Sequence, residues 1–193
     1  MKLIGSGAEA LIFLDGKRVI KKRIKKNYRI DELDLALRKN RTRTEAKILE
    51  KIPVDAPKLF KTDMTETLEM EFISGEKIRD VLDHNPLLAK EIGLKTSILH
   101  DAGIIHGDLT TSNMILKGEK IFFIDFGLSF FSEKIEDKAV DIHLFKQALE
   151  SKHYKISDEA FKHFLNGYKL TKDYEQIIHR LKIVELRGRY KKK

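Results

Sequence analysis

The sequence predicts an α+β fold in which a small antiparallel sheet with one main helix precedes a mostly helical region. Three observations carry that prediction. The segments ALIFL (10–14) and RVIKKRI (18–24) flank Asp15-Gly16, a dipeptide that readily supplies the positive φ angles of a tight hairpin turn. A helical stretch follows over 31–52, with Leu33, Leu37, Ala46 and Leu49 among its apolar residues, and Pro53 ends it. Beyond residue 137, helical patterns cover 137–150, 157–168 and 173–186.

Between these landmarks the elements are shorter. A brief strand precedes Gly5, and residues 58–61 and 67–73 read as two further strands. Ile73-Ser74-Gly75 breaks that pattern and marks a lobe boundary. The expected organisation is a single domain over 1–193, with an N-lobe at 1–73, a C-lobe at 74–187 and a basic tail at 188–193. In the C-lobe, residues 86–102 form a helix with Pro86 in its first turn and Gly103 as its C-terminal cap. Short strands at 113–117 and 120–124 face each other across Gly118-Glu119.

Bulk composition narrows the function classes. At 41% hydrophobic over 193 residues the chain can bury a real core. Without cysteine, neither a disulfide nor a thiolate zinc site is available. MKLIGSGAEA lacks the apolar core of a signal peptide, and no apolar stretch approaches the roughly 20 residues of a membrane span. A cytoplasmic protein that touches no membrane is therefore expected. The net charge of +8 favours polyanionic partners, a statement about association rather than fold.

The chemistry concentrates in two segments. IIHGDLTTSNMIL (104–116) places Asp108 five residues before Asn113, and IFFIDFG (121–127) ends an apolar run in Asp125. As plain turns, these acids and the amide would only bond nearby backbone. Phosphoryl transfer from a nucleotide uses the same combination, with one Asp orienting the acceptor and a second Asp and an Asn holding magnesium. Near the N-terminus, Gly5, Ser6, Gly7, Ala8 and Glu9 lie between a strand and the hairpin, where small residues let backbone amides approach phosphate oxygens. They also suit a simple turn. Lys21 is on the next strand, within reach of such phosphates. Alternation shows only that Lys21 and Lys22 face opposite ways.

The order of glycine-rich loop, VIK lysine, helix glutamate, HGDLTTSN and IDFG resembles the protein-kinase-like superfamily. The implied fold is a minimal bilobal kinase. The implied cofactors are ATP and magnesium. By this resemblance Lys21 holds the α and β phosphates and pairs with Glu45, Asp108 serves the acceptor hydroxyl, and Asn113 and Asp125 bind magnesium. Met70, Glu71, Phe72 and Ile73 form the adenine-contacting hinge, and His106 supports the loop. Ala10 replaces the third loop glycine. Gly107 stands where many protein kinases have an arginine that receives a phosphorylated activation loop. No Ala-Pro-Glu follows IDFG, so the usual peptide platform is reduced. Asp141 is either an aspartate bracing the catalytic loop or a solvated helix acid.

Three further segments narrow the resemblance: IKKRIKKNYRIDELDLALRKNRTRTEAKIL, EDKAVDIHLFKQAL and VELRGRYKKK. Together they look like the small PRPK-type kinases of the KEOPS complex, found in archaea and eukaryotes. That family implies an atypical, autophosphorylating serine/threonine kinase and ATPase. It supports a partner metalloenzyme that makes threonylcarbamoyladenosine in tRNA. A stand-alone RIO-like protein kinase and a nucleotide-binding scaffold are the alternatives. The tail residues Arg187, Arg189, Lys191, Lys192 and Lys193 either remain solvated or contact tRNA phosphates. The same choice holds for the basic stretch Lys21–Arg29, whose RIKKNYRI portion could instead anchor the helix bearing Glu45.

Overall fold

The first 71 residues contribute five strands to one antiparallel sheet: β1 (Lys2–Ser6), β2 (Ala10–Asp15), β3 (Arg18–Arg23), β4 (Leu59–Thr62) and β5 (Thr67–Glu71), in the order β1-β2-β3-β5-β4. This computed structural model describes residues 1–7 and 9–189, the last two by backbone alone. Asp15 pairs with Arg18, so the tight turn is Gly16-Lys17, one residue later than the sequence suggested. Gly16 carries its positive φ of 60°. Gly5 and Ser6, read above as loop, lie in β1 opposite Ile12 and Leu11. β3 is central, with Lys21 paired to Ile12 on one side and to Leu68 on the other. Alternation then sends Lys21 and Arg23 to the buried face and Lys22 to solvent.

Helix α1 (Asp31–Lys51) starts with Asp31, Glu32 and Asp34 in its first turn, where carboxylates suit the positive end of the helix dipole. It stops before Pro53. Its apolar residues form no continuous stripe: Ala46, Ile48 and Leu49 are buried, whereas Leu33 is exposed. Ion pairs replace apolar packing over the first half. Arg38 bonds Asp34 at 2.7 Å and also pairs with Glu66, while Arg41 reaches Glu9 at 2.9 Å.

After β6 (Glu76–Lys77) and α2 (Ile78–Val81), the chain is mainly helical: α3 (Leu88–Asp101), α4 (Ile135–Lys152), α5 (Ser157–Tyr168) and α6 (Tyr174–Arg189). Gly103, at φ 68°, ends α3 as expected. Helices α3 and α5 cross so closely that a Cβ on Gly93 would lie 1.9 Å from the Phe164 carbonyl oxygen. One on Gly167 would lie 1.9 Å from that of Lys90. Strands β7 (Ile104–Ile105), β8 (Met114–Lys117), β9 (Lys120–Phe123) and β10 (Phe130–Phe131) form two small ribbons, β6-β8-β9 and β7-β10. The main core runs from Ile48 and Leu49 through Leu99, Phe123 and Phe126 to Phe145 and Phe164, whose rings stack at 4.5 Å. The sheet with its helix and the helical region bear out the α+β, kinase-like architecture.

Candidate functional site

Lys21 reaches the site because β3 is flanked on both edges and directs this side chain beneath the hairpin. Its Nζ donates to both Glu45 oxygens at 2.8 and 2.9 Å, and to Asp125 Oδ1 at 2.7 Å. Glu45 is 1% exposed. A second cation shares it: Arg23 Nη2 lies 2.5 Å from Glu45 Oε2, and Arg23 Nε donates to Thr42 Oγ1 at 3.2 Å. The motif reading passed over Arg23. It is two residues after Lys21 on the same strand face, a signal that was available.

Asp125 follows β9 in a left-handed conformation, φ 64°, which Asp tolerates better than most residues. Burial pushes its pKa up, but the Lys21 ammonium and the Gly127 N–H, with Arg23 nearby, more than offset that and hold it below the usual carboxylate range. A Cβ on Gly127 would stand 2.9 Å from Arg23 Nη2 and 3.1 Å from Asp125 Oδ1. Glycine there lets the guanidinium and the carboxylate lie side by side.

A 3₁₀ turn at Thr111–Asn113 carries the amide. Asn113 Nδ2 donates to the Asp108 carbonyl at 2.9 Å and to its Oδ2 at 2.8 Å, which turns the Asn113 oxygen away from Asp108. His153, also passed over, joins Thr111 Oγ1 at 3.0 Å and Asp83 at 2.7 Å, tying this turn to the end of α4.

Asp141, left open above, is 1% exposed and not a solvated acid. Its carboxylate accepts the His106 and Gly107 backbone N–H groups at 2.9 Å each and faces His100 Nε2 at 3.2 Å. Gly107 has φ 76°, and a Cβ there would meet the Leu128 carbonyl oxygen at 2.4 Å. The same position that lacks the kinase arginine therefore requires glycine sterically. Burial drives the His106 pKa down despite the surrounding acids. Its Nδ1 accepts the Asp108 N–H at 3.3 Å, so the ring supports the loop in neutral form.

Two cavities meet at Lys21 and Asp125. One, of about 360 Å³, is lined by Ile4, Val19, Met70, Ile73 and Ile115 and also by Gly5, Glu71, Phe72 and Asn113. The other, of about 330 Å³, holds Gly7, Glu9, Arg23, Arg41 and Asp108. Ser6 lines neither, and Ala8 lies outside the described residues. The Gly7 N–H is spent on the Ala10 carbonyl at 2.9 Å.

Residues 13–136 match the RIO domain family. The KEOPS complex subunit Bud32 of Pyrococcus abyssi is 43% identical, the alignment covering all of this chain and 98% of that protein. The chain belongs to the RIO-domain family. Within it, the similarity to Bud32 runs end to end, as the motifs led one to expect. A probable serine/threonine-protein kinase BUD32 homolog of Archaeoglobus fulgidus is 39% identical over 95% of this chain and 94% of its own length. A probable bifunctional tRNA threonylcarbamoyladenosine biosynthesis protein of Methanobrevibacter smithii is 42% identical over 97% of this chain, which spans 36% of that protein. Among solved structures, WaaP in complex with acyl carrier protein superposes with a TM-score of 0.63 at 11% identity, covering 95% of this chain and 87% of WaaP. That likeness speaks to the fold alone.

The donors of this RIO-domain site fit a hard cation. Asp125 and Asn113, whose side-chain oxygen accepts no bond among the described residues, line one cavity, and magnesium takes one or two protein oxygens with the rest from phosphates and water. The stretch Lys21–Arg29, read above as either polyanion-binding or anchoring, buries Lys21 and Arg23 and leaves Lys22, Lys25, Asn27 and Tyr28 exposed. Arg29 bonds Glu9 at 2.8 Å, and the Lys26 N–H donates to Asp34 at 3.0 Å, so the segment ties α1 to the sheet. Arg187 pairs with Glu136 at 2.5 Å. Lys191, Lys192, Lys193 and the Arg189 side chain lie outside the described residues. Among the described residues no helix is long and apolar enough to cross a membrane.

Proposed function

We propose that this chain is a kinase-like, ATP-consuming subunit of a KEOPS-type assembly that supports threonylcarbamoyladenosine formation on tRNA, with the transfer itself performed by a partner metalloenzyme. The observation that carries the reading is the convergence of Lys21, Asp125, Asn113 and Asp108 where the two cavities meet, in a chain similar over its whole length to a KEOPS Bud32 subunit.

In this reading the adenine lies between Val19, Ile115 and the Met70–Ile73 hinge. Glu71 and Phe72 spend their N–H groups on the carbonyls of Lys58 and Lys17, at 2.9 and 3.1 Å. Among the described residues the Ile73 N–H donates to no carbonyl, which leaves it for the base. Lys21 Nζ, fixed by Glu45, bonds the α and β phosphates. Magnesium, when bound, supplies charge neutralisation for phosphoryl transfer, and Asp125 with the Asn113 oxygen would hold it. Asp108 keeps one carboxylate oxygen beyond the Asn113 bond to orient the acceptor. A serine or threonine hydroxyl there makes the chain a kinase, whereas water makes it an ATPase. The basic tail and net charge of +8 suit contact with tRNA phosphates.

The RIO-domain match supports a second reading, a protein kinase acting alone. Magnesium-dependent ATP hydrolysis and self-phosphorylation by the purified chain, with and without the partner metalloenzyme and tRNA, test the pair. Hydrolysis that rises with both additions while self-phosphorylation falls supports the assembly role. Phosphate transfer to protein that ignores both moves the stand-alone kinase to first place.

A further inference from the structure

The cavity beyond Lys21 carries more cationic side chains than the α and β phosphates need. Arg23 and Arg41 line it together with Lys21, and Asp108 stands in the same wall. Arg41 is engaged by Glu9. Arg23 differs. Its side chain is 3% exposed, yet only part of its donor set is used: Nε goes to Thr42 Oγ1 and Nη2 to Glu45 Oε2. Among the described residues Nη1 donates to no group; a Cβ on Gly127 would stand 3.3 Å from it, and Arg23 and Gly127 line the cavity together.

A guanidinium is planar and rigid, so fixing two of its donor positions also fixes the aim of the third. We infer that Arg23 contacts the γ-phosphate of the bound nucleotide and so distinguishes a triphosphate from a diphosphate. This rests on the nucleotide reading given above. Lys21, its neighbour on the strand face, takes the inner phosphates, and the next phosphate outward, toward Asp108, meets Arg23 Nη1. The charge gathering on the transferred group then faces a donor that needs no reorientation. Glu45 thereby positions two cations, one for each part of the phosphate chain.

The test is calorimetric titration of the wild type, Arg23→Gln and Arg23→Lys with ADP and with a non-hydrolysable ATP analogue, each with magnesium, alongside a thermal melt. Arg23→Lys keeps a cation beside Glu45 and serves if the Gln variant unfolds. The wild type should prefer the triphosphate by roughly tenfold or more, the range of one hydrogen bond between charged groups. Both variants should lose that preference while their ADP affinity stays within about threefold, well below the tenfold step of 1.4 kcal/mol. Equal weakening toward both nucleotides, or an unchanged preference, overturns the inference and leaves Arg23 as a support for Glu45. A wild type that binds ADP and the analogue equally also overturns it. A wild type that binds neither removes the nucleotide reading itself.

Discussion

Arg23 Nη2 lies 2.5 Å from the same Glu45 carboxylate that Lys21 engages at 2.8 and 2.9 Å. One buried anion therefore faces two buried cations, Asp125 supplies the second negative charge at 2.7 Å from Lys21, and the positions are not equivalent. Lys21→Met leaves Glu45 with Arg23 and strands only the half-exposed Asp125, whereas Glu45→Ala takes the carboxylate from the buried Arg23 and leaves Lys21 with Asp125 alone. Removing one member of a buried ion pair costs about 3–5 kcal/mol when the remaining charge is stranded. Glu45→Ala should approach that range, and Lys21→Met should cost less, about 2 kcal/mol, because water screens the half-exposed Asp125 that it strands. Urea denaturation of the two variants checks the ordering.

Asp125 is positioned for chemistry more than for stability. Its side chain is half exposed and its backbone has the left-handed conformation that Asn also tolerates. Asp125→Asn should leave the melting temperature within a few degrees while lowering magnesium-dependent turnover about a hundredfold or more, given the several kcal/mol a metal's charge contributes. Turnover that persists in the folded variant would argue against the proposed magnesium role.

Helices α3 and α5 depend on two glycines for their approach. A methyl at Gly93 or Gly167 would press on backbone, which cannot swing aside as a side chain can. Each Ala variant should lose at least about 1–3 kcal/mol, the usual cost of overpacking. The double variant should lose less than the sum, because one separation of the helices relieves both contacts. Denaturation midpoints of the three proteins measure this directly.

The long periodic elements were legible in the sequence, because α4, α5, α6 and the β2–β3 hairpin each repeat their signal over many residues. Two-residue strands such as β6, β7 and β10 repeat nothing and are set by the chain around them. How α1 is attached was not legible either: it is held through Arg38, Arg41 and Glu45, and an apolar count does not register such pairs. In the site, motif order pointed to Lys21, Glu45, Asp108, Asn113 and Asp125. Arg23 was marked only by its spacing of two from Lys21, since a buried arginine in a basic strand looks like an exposed one until a partner carboxylate appears across the fold. The choice between Lys21 and Lys22 needed the sheet, since alternation separates two neighbours without saying which side is buried.

A pH effect is expected well away from the site. Partial burial pushes the Asp63 pKa up, but the N–H groups of Thr67, Thr65 and Glu66 outweigh it and bring the carboxyl to about 2. Its pKa is lowered on folding, so its contribution is fully present above the unfolded value near 3.9 and fades as pH falls toward about 2. Asp63→Ala should cost on the order of 1 kcal/mol at neutral pH, the net worth of a hydrogen bond at such a turn. The gap from wild type should narrow between about pH 4 and about pH 2. Denaturant midpoints of both proteins across that range decide it.

Asp141 offers the sharpest separation of positioning from binding. Its two oxygens hold the His106 and Gly107 N–H groups, and those bonds hold the backbone that presents Asp108. Burial raises its pKa, but the hydrogen bond from His100 and the neighbouring histidine and amide groups lower it further, so the folded pKa lies below the ordinary one. The stability it contributes is present above the unfolded value of about 3.9 and is lost as pH falls through the folded one. Asp141→Asn keeps the shape but replaces one acceptor with an NH₂ group that opposes a donor. A cost of about 3 kcal/mol follows from one buried donor left unpaired and one charged acceptor lost. None of the residues lining the proposed adenine cavity contacts Asp141 through a hydrogen bond, so nucleotide affinity should hold while the rate of phosphate transfer falls. Calorimetric ADP binding and single-turnover rates on the same preparation separate the two. A variant that loses affinity and rate together would instead show that the loop and the adenine cavity unfold as one unit.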